Sequence, residues 1–151
     1  MNRFQRISFR TGAIACIVTA LVHLFGHFSP RPAAANETEA TLWKLMETYR
    51  QDLGAGFERT AMDFLKGFSL AFSLYLLVLG TLGLLLLRHL QQDAAFMRRA
   101  SAVCLFGTGA LLVVSLVYFF LPPIVCAAVA TAGFAGALLG GGRAESSRIV
   151  N

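Results

Sequence analysis

Charge is what this sequence has least of. Asp, Glu, Lys and Arg make up 14% of its 151 residues, and 56% are hydrophobic. A soluble domain carries about 25% charged residues, so an ordinary soluble fold is excluded. The deficit is concentrated in residues 11–29, 64–87, 100–121 and 124–142, where Lys66 is the one formal charge. Cysteine is sparse as well. Cys16, Cys104 and Cys126 fall in three different blocks with no Cys-x-x-Cys, which excludes a dithiol oxidoreductase and leaves them as small buried residues. No His-Glu-x-x-His occurs, and the last two blocks hold no acid or base. A coupled proton pathway needs a chain of such groups, so a one-chain pump, channel or transporter is excluded; an oligomeric pore stays open.

What is present is length. About 20 apolar residues in a helix cross a hydrocarbon core roughly 30 Å thick, and all four blocks qualify. In lipid each must be helical, because its backbone groups find no water. The fold class is therefore all-α, a four-transmembrane-helix bundle forming one integral domain over 1–151. Arg3, Arg6, Arg10, Arg88, Arg98, Arg99, Arg143 and Arg148 fall on one side of a four-span chain. The other side mixes Arg31, Lys44, Arg50, Arg59 and Lys66 with Glu37, Glu39, Glu47, Asp52 and Glu58. The positive-inside rule puts both termini in the cytoplasm. The net charge of +5 is thereby explained by topology and does not call for nucleic acid. Ala33-Ala34-Ala35 after a basic, apolar start also resembles a signal-peptide cleavage site. The 11–29 run is longer than the usual signal core and carries histidines, so a retained helix is expected; cleavage would leave three.

Pro30-Arg31-Pro32 stops the first span. Asn36 with Glu39 fits a helix N-cap, and Leu42, Leu45, Met46, Tyr49 and Leu53 recur on one helical face. Gly54 and Gly56 read as the stop signal. An amphipathic outer-loop helix over 37–53 is expected, with Trp43 at headgroup level and the helix acting as a lid more readily than as a partner-binding surface. Pro122-Pro123 reads as a tight outer turn between the last two spans.

Each span carries a stripe of small or polar residues. These are Gly12, Cys16, Thr19, His23, Gly26 and His27; Lys66, Ser69, Ser73, Gly80 and Gly83; Ser101, Cys104, Thr108, Ser115 and Tyr118; and Cys126, Ala130, Gly133, Ala137 and Gly141. Small residues let helices approach, and hydroxyls bond across them, so the stripes face inward. Gly133, Ala137 and Gly141 also offer a face for oligomerisation.

His23 and His27 are the chemical lead, since ionisable groups at membrane depth are costly. At 1.5 Å rise per residue, His27 lies near the outer end of its helix. There it shares a level with Asp63, Lys66 and, on the third span, Tyr118. His23 lies about 6 Å deeper, near Ser69 and Ser73. Arg59 and Asp63, four apart, are placed to pair. A polar outer-leaflet pocket is expected, lined by His23, His27, Asp63, Lys66, Ser69 and Tyr118. Three readings compete for it. The first is an interhelical hydrogen-bond network. The second is a site for a small lipid-like ligand. The third, weaker, is a metal site using His23, His27 and Asp63, which lacks a fourth ligand. Bis-histidine haem fails, because two residues one turn apart cannot approach opposite faces of the ring. No cofactor is implied. A membrane enzyme acting on a lipid-like or quinone-like substrate through His23, His27 and Asp63 is the functional alternative.

The His-x-x-x-His spacing, a loop helix with Leu45-Met46, the stretch Asp63-Phe64-x-x-Gly67-Phe68-Ser69-Leu70-x-Phe72 and Pro122-Pro123 together resemble a family of small, uncharacterised bacterial four-helix membrane proteins. The likeness covers about 11–141, and Gly-Phe-Ser-Leu is its most specific part. It implies a bacterial inner membrane and a four-helix fold, and it assigns no catalytic residue.

Overall fold

The computed structural model describes residues 1–140, so Gly141, Arg143 and Arg148 lie outside the described residues. The chain forms α1 (Arg3–Phe28), α2 (Glu37–Thr48), the short strands β1 (Arg50–Asp52) and β2 (Glu58–Thr60), then α3 (Ala61–Leu90), α4 (Ala94–Tyr118) and α5 (Leu121–Leu139). α1, α3, α4 and α5 are each long and apolar enough to cross a membrane. The all-α bundle with a short helix between its first two spans is thus the fold observed.

The helices overrun the apolar blocks. α1 starts at Arg3, eight residues before its block, and α3 covers Ala61–Leu90 where 64–87 was expected. Thirty residues of helix rise about 45 Å, so the ends of α3 extend beyond the hydrocarbon. Charge marks where lipid ends; capping marks where the helix ends. Asn2 and Gln5 form a capping box on α1, Thr60 and Asp63 form one on α3, and Asp93 caps α4 through the Phe96 amide. Pro122 and Pro123 are not the turn between the last spans. They sit in the first turn of α5, where a missing N–H costs nothing, and Phe119 and Phe120 make the connection.

α2 is also shorter than expected. It ends at Thr48, and Arg50–Asp52 pairs antiparallel with Glu58–Thr60. The glycines read as a helix stop are the hairpin turn instead. Gly54, Ala55 and Gly56 all take positive φ, at 81°, 53° and 78°, a region glycine enters without strain. The Asn36 cap is present: its side chain accepts from the Glu39 amide at 2.9 Å, and the Glu39 carboxylate accepts from the Ala35 amide at 2.6 Å. The apolar face of α2 is not closed over the bundle. Leu42, Leu45 and Tyr49 are exposed and no residue of α2 is buried. The loop is held by Arg31, which pairs with Glu47 at 2.9 Å and lies over the Trp43 ring at 4.9 Å.

α1 is the central helix. It packs extensively against both α3 and α5, α4 packs on α5, and α3 and α4 approach each other little. Asn2 Nδ2 donates to the Gly140 carbonyl at 2.9 Å and Gln5 Nε2 to that of Ala137 at 3.2 Å, so the start of α1 and the end of α5 share one end of the bundle. The small-residue stripes face inward along most of their length, but Gly26, Lys66 and Tyr118 are exposed. A methyl group built on Gly133 would lie 2.5 Å from the Gly12 nitrogen, and one on Gly80 would lie 2.6 Å from the Ala13 oxygen. Both crossings bring backbone onto backbone. Phe9 and Phe134 fill the space beside them edge to face, with centroids 5.2 Å apart. Gly133 and Ala137, the described members of the series read as an oligomer face, lie in this α1–α5 contact. Large apolar side chains such as Phe68, Tyr75 and Phe106 stand outward, which suits lipid and would be an aggregation hazard in water.

The stripe hydroxyls behave differently from expectation. Thr19, Ser73, Ser101 and Thr108 each donate to the carbonyl four residues back in their own helix. Among the membrane-helix hydroxyls of the described residues, Ser69 alone reaches across to another helix.

Candidate functional site

Ser69 meets both histidines. Its Oγ lies 3.0 Å from His27 Nδ1 and 3.1 Å from His23 Nε2. The four-residue spacing stacks the two rings on one face of α1, and the hydroxyl of α3 enters between them. The Ser69 carbonyl also accepts from Ser73 Oγ at 3.0 Å. Phe72, one turn along α3, packs edge-on against the His23 ring with centroids 5.1 Å apart, and Phe28 does the same for His27 at 4.9 Å. An aromatic contact thus supports each imidazole.

The arrangement fixes proton positions in a coupled way. A hydroxyl has one proton to give. If Ser69 donates to His23 Nε2, then His27 Nδ1–H must donate to Ser69, and the reverse assignment exchanges the roles. With both rings neutral and the Ser69 proton given to one of them, the two remaining nitrogens, His23 Nδ1 and His27 Nε2, are one donor and one acceptor; if Ser69 accepts from both rings, both remaining nitrogens are acceptors. Neither makes a hydrogen bond among the described residues. Both rings are half-buried. Among the described residues Thr131 Oγ1 is the one buried side-chain atom without a partner, so these two nitrogens are accessible. Each ring of the cluster is half-buried and keeps one nitrogen unpaired among the described residues. The cluster is a polar edge on an apolar surface.

Among the described residues, the other expected site residues make no hydrogen bond to the cluster. Asp63 caps α3: its carboxylate accepts from the Thr60 amide at 2.9 Å while its own amide donates to Thr60 Oγ1 at 3.1 Å. It does not pair with Arg59, whose guanidinium donates to the Glu58 carbonyl and lies 5.8 Å from the Phe57 ring. Thr60-x-x-Asp63 is a capping spacing legible in the sequence. Lys66 is exposed on α3. Tyr118 is 77% exposed at the end of α4 and stands among lipid-facing side chains. Among the described residues no group of three His, Cys, Asp or Glu side chains is placed to hold a metal ion. Phe72, which no polar pattern singles out, is the supporting residue that the sequence reading missed. Its signal was its position between Ser69 and Ser73 on the inward side of α3.

No family model, curated protein or solved structure matches the chain. The resemblance drawn from the short motifs therefore identifies no family, and what stands is a small membrane protein with four long apolar helices.

Proposed function

We propose that the protein belongs to a bacterial inner membrane, with both ends cytoplasmic, and holds the polar head of a lipid-like molecule at the outer ends of α1 and α3. One observation carries this: Ser69 engages one nitrogen of each histidine, which leaves the other nitrogen of each ring unpaired among the described residues, one donor and one acceptor when the Ser69 proton is given to either ring. A group that both donates and accepts, such as a glycerol hydroxyl or a quinol, is their complement. The arginine distribution supports the orientation, and the exposed apolar residues of α2 fit a helix resting on the outer leaflet.

The test is nitrogen NMR of the histidine side chains in micelles. A monoacylglycerol should shift both His23 Nδ1 and His27 Nε2, whereas an alkyl acetate of the same chain length, which only accepts, should shift the protonated nitrogen alone. Equal responses to both, or none to either, would overturn the reading. For the orientation, a cysteine replacing Glu47 should be labelled by an impermeant reagent from outside the cell; labelling only from the cytoplasm would reverse it.

A second reading is acid–base catalysis on a lipid-like or quinone-like substrate at the same place. It is favoured by the 3.1 Å approach of the Ser69 hydroxyl to an imidazole nitrogen, the spacing of a nucleophile and its base. Asp63, engaged at its cap, would orient neither ring. Turnover of an ester-linked amphiphile that is lost in Ser69→Ala would favour this reading over binding alone.

A further inference from the structure

The other end of the bundle holds a second site of different chemistry. Arg3, Arg6 and Arg10 are spaced three and four residues apart, so they line one face of α1 over about 10 Å of rise. With Ile7 between them they border an open groove of about 400 Å³, completed by Leu87 of α3 and by Gln91, the residue that caps that helix. Gln91 Oε1 accepts from Arg6 Nη1 at 3.3 Å, which positions one guanidinium at the groove edge.

The charge around this groove is unbalanced. Among the described residues, Arg88, Arg98 and Arg99 lie at the same end, and Asp93 is the carboxylate there, engaged with the Phe96 amide at 2.9 Å. The first turn of α1 has no acid, so Arg3 and Arg6 stand where the helix dipole is itself positive. A bound anion would offset both. The positive-inside rule accounts for basic residues at this end but asks nothing of their arrangement. Three guanidiniums on one helix face, bordering a groove with two aliphatic side chains, are an arrangement beyond that rule.

We propose that this groove binds the headgroup of an anionic phospholipid. Arg3, Arg6 and Arg10 bind its phosphate, Gln91 positions Arg6, and Ile7 and Leu87 pack against the first carbons below the headgroup. Guanidinium suits this task because its planar fork meets two phosphate oxygens at once. The depth fits too: the headgroup layers add about 5–7 Å on each side of the hydrocarbon, and the arginine row spans that layer. Basic pockets between membrane helices on the cytoplasmic side are a recurrent solution for anionic headgroups. The inference rests on α1 and α3 spanning the membrane and is independent of the histidine site.

The test is lipid retention by the purified full-length chain, read by native mass spectrometry from a neutral detergent. The probes are dioleoyl phosphatidylglycerol, dioleoyl phosphatidylcholine and inorganic phosphate. Phosphatidylglycerol should be retained at least tenfold over phosphatidylcholine. The combined variant Arg3→Lys, Arg6→Lys and Arg10→Lys keeps the charge that sets topology and should cut that preference severalfold. Arg88→Lys, Arg98→Lys and Arg99→Lys together should leave it unchanged. Equal retention of both lipids, or equal loss in the two triple variants, would overturn the proposal. Displacement of the lipid by an equal concentration of inorganic phosphate would also overturn it and assign the groove to free phosphate.

Discussion

The two halves of α1 hold their neighbours by different means. From Ser8 to Ala20 six residues are buried, and Gly12 and Ala13 touch the backbones of α5 and α3. Beyond Ala20 no residue of α1 is buried, and contact with α3 passes through the two histidines and Ser69. Glycine makes the contrast plain. A methyl group on Gly80 or Gly133 would strike backbone, whereas one on Gly26 or Gly67 would meet nothing within 4 Å. The same small residue is a contact point in one half and open surface in the other. Close packing therefore secures the half that carries the arginine row, and hydrogen bonds bridge a looser half that keeps polar edges accessible.

Three substitutions probe this difference. The largest effect is expected from Gly133→Ala or Gly80→Ala. Each forces two helices apart and should cost about 2 kcal/mol, read as a lowered midpoint in denaturant titration of the micellar protein. Stability unchanged in both would mean that the crossings are looser than drawn. Ser69→Ala comes next, since it removes both links between α1 and α3. Polar bonds in membranes average about 0.6 kcal/mol, so the loss should be about 1 kcal/mol. It should also be non-additive with His27→Phe in a double-mutant cycle; strict additivity would show that the cluster does not act as a unit. The smallest effect belongs to Gly26→Ala, where space is open and alanine is the better helix former by up to about 1 kcal/mol. Its midpoint should stay level or rise, and a marked fall would erase the contrast.

Much of this was legible in the sequence, for identifiable reasons. Lack of charge located the four spans, and the three-and-four spacing of small residues located their inward faces. The depth of His23 and His27 pointed to Ser69. What failed depended on local competition. The period of Leu45, Met46, Tyr49 and Leu53 runs past Thr48 as if the helix continued, yet Gly54-Ala55-Gly56 turns the chain into a hairpin. Asp63 was read by its charge, while its spacing from Thr60 made it a cap. Tyr118 was placed by depth and by its three-residue spacing from Ser115, yet Ser115 is buried and Tyr118 is exposed. A residue at the last turn of α4, just before the chain leaves the helix at Phe119, is not held to the face that buries Thr108 and Ser115.

The central position of α1 also bears on how the molecule is made. α1, synthesised before the other three described spans, lies between α3 and α5, and α5 follows the other two. At about 5–20 residues per second, the chain from the end of α1 to the start of α5 takes on the order of 5–20 s to appear. Throughout that interval Gly12 and its neighbours lack the surface of α5 that will cover them. The bundle is completed from its middle outward, and its earliest segment waits longest for its final contacts.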